Sequence, residues 1–420
     1  MAPTFPLPMS FFRAPVLQAR EKEFLHNAAR ANSIDVIART KLEDGPFHWE
    51  VHAHDNEQVI YRGHDAYAPH GVQTFLGVME IKATLDEVAQ LYACHKEDDI
   101  AEFRRTIAKD TLDTQQLYVL AEPTPSNPRH FIGVKWSVIQ SPAPALIRHR
   151  DWVFLESHYD FDLDGRRGWA RSTKSIELPF LPSLESSLEV VRAFQLRAGF
   201  VFIESDRPGY LNAMQLHQFD LRGKVPAWMI AFGIKKRCRV FLELAKYVRE
   251  NRLSNSKFLA SNELVPTEYR THCLGCRKKF RSFVSRKGNC QKCGEVFCLA
   301  CSTMWAVKLS GMRHQLRVCK RCSVDTNMGH TDSTYVISSN PRDNDGGSVD
   351  RAKSYTSSSY RVLTPGSSLY QDHRHHQSPY VMGTPDSSYG RYPHQYPPTE
   401  TVFEGSSSVS STDRNDLIPL

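Results

Sequence analysis

Eight of the ten cysteines form four Cys-x-x-Cys pairs within fifty residues. The pairs are Cys273/Cys276, Cys290/Cys293, Cys298/Cys301 and Cys319/Cys322. Each pair can supply two thiolates to one tetrahedral Zn²⁺, so four pairs suffice for two closed Cys₄ sites. Eight unliganded thiols would instead leave this segment to fold around too few apolar side chains. The sequence therefore predicts two structural zinc ions whose binding supplies the folding free energy, and no catalytic metal.

The positive charge of the chain is concentrated in the same segment. Residues 273–322 hold 12 Lys and Arg against one Glu, a net charge of +11, whereas the whole chain carries +7. Residues 1–272 are neutral overall and residues 323–420 carry −4. A field of this density favours an anionic partner, namely phosphorylated lipid, nucleic acid or an acidic protein surface. Aromatic side chains for base stacking are scarce among these cations, so no nucleic-acid partner is predicted.

The residues around the cysteines resemble the FYVE zinc finger over residues 264–322. The resemblance rests on the spacing, on Gly294-Glu295-Val296-Phe297-Cys298-Leu299-Ala300-Cys301-Ser302, and on Arg317-Val318-Cys319-Lys320-Arg321-Cys322. It implies cross-braced ligation, in which the first zinc is bound by Cys273, Cys276, Cys298 and Cys301, and the second by Cys290, Cys293, Cys319 and Cys322. It also implies binding of phosphatidylinositol 3-phosphate.

Only part of the family's headgroup-binding set is present. The resemblance assigns headgroup contacts to Arg286, Lys287 and Arg317, but Gly288 and Asn289 stand where the family has histidines. Two further departures are Gln291 for an arginine and Leu264-Val265-Pro266-Thr267 for a Trp-x-x-Asp sequence. The missing imidazole donors leave two alternatives open, selective binding of the 3-phosphate or general attraction to an anionic membrane.

Phe283 and Val284 occupy the position of the family's membrane-dipping loop. They are flanked by Lys279, Arg281 and Arg286. An exposed apolar pair surrounded by cations suits insertion between anionic headgroups, and the alternative is packing on the small core of the finger.

The region before the cysteines has the pattern of a folded α+β domain. A helix is predicted near residues 16–39, and nine alternating or apolar runs between residues 47 and 219 are predicted as strands. Because strands and helices do not alternate, an antiparallel sheet with helices is favoured over a parallel one. The region ends in a predicted long helix over residues 226–251, where an apolar stripe includes Ile230, Ile234 and Phe241.

This region resembles START domains over residues 71–251. The resemblance rests on four runs in the family's order: Arg150-Asp151-Trp152-Val153-Phe154, Val190-Val191-Arg192-Ala193-Phe194, Ala198-Gly199-Phe200-Val201-Phe202-Ile203 and Asp220-Leu221-Arg222-Gly223-Lys224-Val225-Pro226-Ala227-Trp228. It implies a helix-grip fold, in which a curved antiparallel sheet closes around the C-terminal helix over a cavity for one lipid. Ile230, Ile234 and Phe241 are the expected cavity residues, with plain core packing as the alternative.

The predicted organisation has five parts. Residues 1–70 carry an N-terminal helix and extension, either separate from or part of the START-like unit at 71–251, and residues 252–263 form a linker to the finger at 264–322. Residues 323–420 are rich in Ser and Pro and poor in apolar residues, so a disordered tail is predicted.

Two hypotheses of function follow. In the first, a cytoplasmic, non-enzymatic protein docks its finger on endosomal or other anionic membranes and holds a lipid in its cavity. In the second, the finger of an adaptor binds a protein such as a small GTPase, and the cavity is closed or vestigial. No phosphate-binding loop, dinucleotide fingerprint or nucleophile elbow is present in the sequence, so an enzyme is not predicted.

Overall fold

The computed structural model describes residues 5–55, 57–69, 71–93, 97–281, 286–324 and 360–362. The helices are α1 (Ala19–Arg39), α2 (Leu85–Tyr92), α3 (Glu97–Thr106), α4 (Glu185–Leu188), α5 (Ala227–Cys238), α6 (Val240–Ser254) and α7 (Lys320–Val324). The first strands are β1 (His48–Asp55), β2 (Gln58–His64), β3 (Gln73–Ile81), β4 (Thr111–Ala121) and β5 (Phe131–Ile139). The sheet continues with β6 (Arg150–Leu163), β7 (Arg166–Ser175), β8 (Val191–Arg192), β9 (Phe194–Glu204) and β10 (Leu211–Asp220). The finger contains β11 (Lys287–Asn289), β12 (Val296–Cys298), β13 (Ser302–Leu309) and β14 (Met312–Cys319), and β15 (Tyr360–Val362) follows.

One large sheet dominates the described part of the chain. Its strand order is β1-β2-β3-β10-β9-β7-β6-β5-β4, with antiparallel pairing throughout that path. β8 pairs with β6 in parallel and β15 pairs with β6 antiparallel. The predicted α+β class with an antiparallel sheet is confirmed. Because β1 and β2 pair onto β3, residues before position 71 belong to this sheet.

The two faces of the sheet pack against different helices. α1 covers one face, where the Ser33 hydroxyl lies 2.9 Å from the hydroxyls of both Ser157 and Ser172. α6 covers the other face and packs on the aromatic side chains of β7 and β9. Since successive side chains of a strand point to opposite faces, Phe154 and Glu156 of β6 lie on the α6 side.

The predicted single C-terminal helix is divided into α5 and α6 at Arg239, which corrects the sequence-based expectation. The fully buried Gln58 inserts its side chain at this point, and its Nε2 donates to the carbonyl of Cys238 at 2.8 Å. A side-chain donor that takes a carbonyl from the helical ladder is a recognised cause of a kink.

The end of α6 is continuous with the finger. Leu253 is fully buried in the finger's apolar cluster with Phe297, Trp305 and Val307. The backbone N–H of Ala306 donates to Glu250 Oε1 at 3.2 Å, and that of Lys308 donates to Ser254 Oγ at 2.9 Å. The segment predicted as a linker therefore begins with the last turn of α6, which packs against β13.

The predicted tail falls almost entirely outside the described residues. Of positions 323–420, the structure describes 323, 324 and the three residues of β15. Among the described residues, no helix combines the length and the apolar character needed to span a bilayer.

Candidate functional site

The finger brings its eight cysteines together as two tetrads. One contains Cys273, Cys276, Cys298 and Cys301, and the other contains Cys290, Cys293, Cys319 and Cys322. Within each tetrad all four sulfur atoms lie within 4.8 Å of one another. This is the interleaved grouping that the family resemblance implies, and each tetrad could hold one zinc ion.

The geometry of the first tetrad fits tetrahedral zinc. The Sγ atoms of Cys276 and Cys298 are 3.8 Å apart, and these cysteines form no disulfide. Four sulfurs at the usual Zn–S distance of about 2.3 Å have edges of about 3.8 Å. Burial by itself would raise the pKa of Cys273, but backbone hydrogen bonds, including that from Cys298, outweigh it and lower this pKa to about 6. The backbone hydrogen bonds therefore favour the thiolate form of Cys273.

The second tetrad has the same kind of backbone support. The N–H of Cys319 donates to Cys290 Sγ at 3.3 Å, and the N–H of Cys322 donates to Cys319 Sγ at 3.4 Å. Cys290 and Cys319 are buried, so two of the four sulfurs lie inside the finger core. Such N–H···S contacts stabilise negative charge on the sulfurs and fit a metal-bound set.

The three predicted headgroup residues lie at the start of β11 and on the neighbouring strand β14. Arg317 lies against Gly288, since a Cβ atom at Gly288 would approach Arg317 Cδ and Nε to 2.9 Å. Lys287 Nζ donates to the carbonyls of Thr267 at 2.6 Å and Arg270 at 3.2 Å. Arg286 is exposed. Because successive strand residues point to opposite faces, Arg317 lies on the face of β11 opposite the Lys287 side chain. Part of the hydrogen-bonding capacity of Lys287 is used by the fold.

One departure from the family pattern, Asn289, has a structural role within the finger. Its Nδ2 donates to the carbonyls of Val265 at 2.6 Å and Gly294 at 2.8 Å. The amide thus fastens the first residues of the finger, at Val265, to the turn after Cys293. Phe283 and Val284, predicted for membrane insertion, lie outside the described residues, and their insertion stays a prediction.

A cavity of about 480 Å³ lies on the α6 side of the large sheet. Its walls come from α3, the sheet and the α5–α6 junction, and they include Phe103, Phe154, Phe200 and Val240. A smaller cavity of about 110 Å³ adjoins it and shares Trp152, Phe219 and Arg237. The larger volume is within the range of pockets that enclose small ligands.

Four ionisable or polar side chains form a cluster, called here the charged floor, on β5, β6 and β7. Lys135 Nζ lies 2.9 Å from Glu156 Oε1, Arg171 contacts Glu156 Oε2, and His158 Nε2 is 3.1 Å from Glu156 Oε1. Lys135, Glu156 and Arg171 line the larger cavity. Glu156 is fully buried, and Lys135 and His158 are nearly so.

Electrostatics fix the charge state of this floor. Burial alone would raise the pKa of Glu156, but the positive charges of Arg171 and Lys135 hold it well below its usual value. Burial lowers the pKa of His158 to about 4 against the opposing effect of Glu156, so this imidazole is neutral at pH 7. Two cations thus face one carboxylate, and the floor carries a net positive charge beside the cavity.

The three predicted cavity residues occupy different environments. Ile230 and Ile234 line the smaller cavity. Phe241 is fully buried among Phe200 and Phe202 and lines neither of the two cavities described here.

The charged floor was missed by sequence reasoning, although a signal for it exists. The run from Trp152 to Tyr159 is apolar apart from Glu156, Ser157 and His158, and strand alternation puts Glu156 on the face of Trp152 and Phe154. A carboxylate on an apolar strand face is unusual, because charged groups are buried only when paired. Its partners Lys135 and Arg171 lie on other strands, so spacing in the sequence does not link them.

Comparison with known families identifies the finger. The model of the FYVE zinc finger family matches residues 263–328. That part of the chain is a FYVE zinc finger.

Two curated relatives match this region. 1-Phosphatidylinositol 3-phosphate 5-kinase FAB1 of Saccharomyces cerevisiae is 30% identical over 74 residues, which are 18% of this chain and 3% of that protein. Zinc finger FYVE domain-containing protein 26 of Bos taurus is 32% identical over 63 residues, which are 15% of this chain and 2% of that protein. The chain therefore spans only a few per cent of the length of these relatives.

Solved structures resemble the N-terminal part of the chain. Human StAR-related lipid transfer protein 5 has a TM-score of 0.42 and 16% identity, and the match covers 54% of this chain and 98% of that one. Human STARD10 has a TM-score of 0.36 and 15% identity, with 56% and 80% of the two chains covered.

Proposed function

We propose that this protein binds an amphipathic lipid in its cavity and docks on anionic membranes through its zinc finger. The observation that carries the proposal is a partly open cavity in which apolar side chains adjoin the charged floor. Pockets that bind small ligands typically combine apolar walls with a few convergent polar groups. A cavity that held only water would not need apolar walls.

The charged floor sets the chemistry of the ligand's polar end. Lys135 and Arg171 provide more positive charge than Glu156 neutralises. Nitrogen donors of an ammonium and a guanidinium match a carboxylate or another oxygen-rich acceptor group. A ligand with an anionic or acceptor headgroup therefore binds with that group at the floor and its apolar part against Phe154 and Phe200.

The cavity volume limits the size of the ligand's apolar part. At roughly 30 Å³ for a water-sized group, about 480 Å³ holds on the order of 16 heavy atoms. That is the scale of one acyl chain or a compact ring system, and it is less than half of a two-chain phospholipid. We expect a single-chain or compact lipid.

The finger supplies membrane affinity through Arg286, Lys287 and Arg317. The net charge of +11 over residues 273–322 attracts an anionic leaflet, even after the negative charge of two Cys₄ zinc sites is counted. Lys287 and Asn289 already donate to backbone carbonyls, so fewer donors remain to select one phosphate position. We therefore expect attraction by charge with little preference for phosphatidylinositol 3-phosphate.

Flotation of the full chain with vesicles tests the membrane part. Vesicles of phosphatidylcholine alone serve as the neutral reference, and vesicles containing phosphatidylserine or phosphatidylinositol 3-phosphate are matched in total charge. We expect binding to both anionic kinds and a reduction of about fivefold for Arg317→Gln, equivalent to about 1 kcal/mol for one cation near the surface. Lys308→Gln removes the same charge elsewhere on the finger and should have a smaller effect.

Native mass spectrometry of the same preparation tests the cavity, because it reports bound zinc and bound lipid together. Two zinc ions with one single-chain lipid support the proposal. A zinc-loaded chain that neither floats with anionic vesicles nor carries lipid contradicts it, and capture of a small GTPase by such a chain would favour the adaptor function.

A further inference from the structure

Two polar side chains of β10 face the cavity far from the charged floor. Gln215 and His217 alternate with Met214 and Leu216, so they share the face of the sheet that lines the cavity. Gln215 is 5% exposed and His217 is 3% exposed. The cavity proposal does not use either residue.

Both side chains have unmet hydrogen-bonding capacity. Neither ring nitrogen of His217 has a partner among the residues that the structure describes, and the same holds for Gln215 Oε1. Burial lowers the pKa of His217 to about 3, assisted by the positive charge of Arg237, so the ring is neutral. A neutral imidazole offers one donor and one acceptor. Buried polar atoms are rarely left without partners, and a partner must come from the cavity side.

Sheet register fixes the separation between these residues and the charged floor. Gln215 pairs with Phe200, which pairs with Arg171, so two strand spacings separate Gln215 from the floor. His217 is three spacings from Glu156, by way of Ala198 and Thr173. Strands in a sheet lie about 4.8 Å apart, so the strand positions of Gln215 and His217 are about 10–14 Å along the sheet from those of Arg171 and Glu156.

We propose that Gln215 and His217 form a second polar subsite, which binds a hydroxyl group at the far end of the ligand. A hydroxyl can donate to Gln215 Oε1 and accept from, or donate to, the ring of His217. The apolar surface of Phe200 lies between the two polar regions. The inference rests on the proposed lipid-binding function and narrows its ligand class to a chain or ring system with polar groups at both ends.

Matched probes test this subsite. Dodecanoate and ω-hydroxydodecanoate both fit the volume limit and both present a carboxylate to the charged floor, but only the second carries a hydroxyl at the other end. Binding of each probe to the zinc-loaded full chain is measured by calorimetry at pH 7. We expect the wild type to bind the hydroxylated probe about tenfold more tightly, as one well-made pair of hydrogen bonds allows.

The variants His217→Leu and Gln215→Leu should remove that preference without weakening dodecanoate. Both should fold, because each replaces an unpartnered buried polar group by an apolar one of similar size. If one of them does not fold, as judged by circular dichroism, the other alone carries the test. Phe219→Leu is the matched control, since Phe219 lies on the same strand face and has no polar atom, and it should affect both probes alike.

The outcomes separate the two proposals. Equal affinity of the wild type for both probes, or a preference that persists in the folded variants, overturns the subsite and leaves lipid binding intact. Failure of the wild type to bind either probe overturns single-chain lipid binding and the subsite with it.

Discussion

The zinc finger and the large sheet use buried polar groups in opposite ways. In the finger, the cysteines are the core, since Cys273, Cys290 and Cys319 pack with Phe297 and Val318 in one cluster. In the sheet, apolar clusters on both faces stabilise the fold. The charged floor is a buried polar exception, and the surrounding apolar packing offsets its cost. The finger therefore depends on its functional residues for folding, whereas the sheet must offset the cost of burying its own.

The two regions meet on α6. Its first turns contribute Phe241 and Leu244 to the cluster beside the cavity, and its last turn contributes Leu253 to the cluster of the finger. A substitution that unfolds one region should therefore also destabilise α6, on which the other region packs.

Zinc removal should produce the largest effect. Structural Zn²⁺ contributes apparent binding free energies of about 10–16 kcal/mol, which is comparable to or larger than the whole stability of a typical domain. Strong chelation should therefore unfold residues 264–322. Hydrogen exchange should show β13 and β14 losing protection while β5, β6 and β7 keep theirs.

A pair of cysteine variants sharpens this prediction. Cys290→Ser should abolish one zinc site, whereas Cys238→Ala, which changes a buried cysteine outside both tetrads, should leave two zinc ions bound. Elemental analysis measures the stoichiometry. A finger that keeps its protection under chelation would contradict the dependence on metal.

The same contrast explains how much the sequence alone could predict. The metal ligands are close in sequence and their spacing is characteristic, so both tetrads follow from Cys273 through Cys322 together with the family resemblance. The antiparallel sheet followed from alternation. The charged floor joins Lys135, Glu156 and Arg171 across three strands, and the helix break at Arg239 depends on Gln58 far away in the chain. Contacts of this kind depend on tertiary packing, and spacing in the sequence does not identify the partners.

Loss of the buried carboxylate should be the largest single-residue effect in the sheet. Glu156→Gln leaves the buried Lys135 and the partly buried Arg171 without this counter-charge. Removal of one partner of a buried ion pair typically costs about 3–5 kcal/mol in the free energy of unfolding. Urea denaturation followed by the near-ultraviolet signal of the sheet's tryptophans measures this loss.

An exposed ion pair on the same sheet provides the control. Glu204 pairs with Arg167 at the surface, where both side chains are partly or largely exposed. Glu204→Gln should cost less than about 1 kcal/mol. Equal losses for the two variants would mean that the charged floor is better solvated than its burial indicates.

A smaller loss than that at Glu156 is expected at the junction on α6. Leu253→Ala removes a fully buried side chain from the cluster of the finger and should cost about 3 kcal/mol. Because Leu253 belongs to the helix that also covers the cavity, the loss should appear in both regions: zinc should dissociate faster, and amides of α6 should exchange faster. Val240→Ala, at the cavity end of the same helix, should speed exchange in α6 without speeding zinc release. If Leu253→Ala affects zinc release alone, the two regions are energetically independent despite their shared helix.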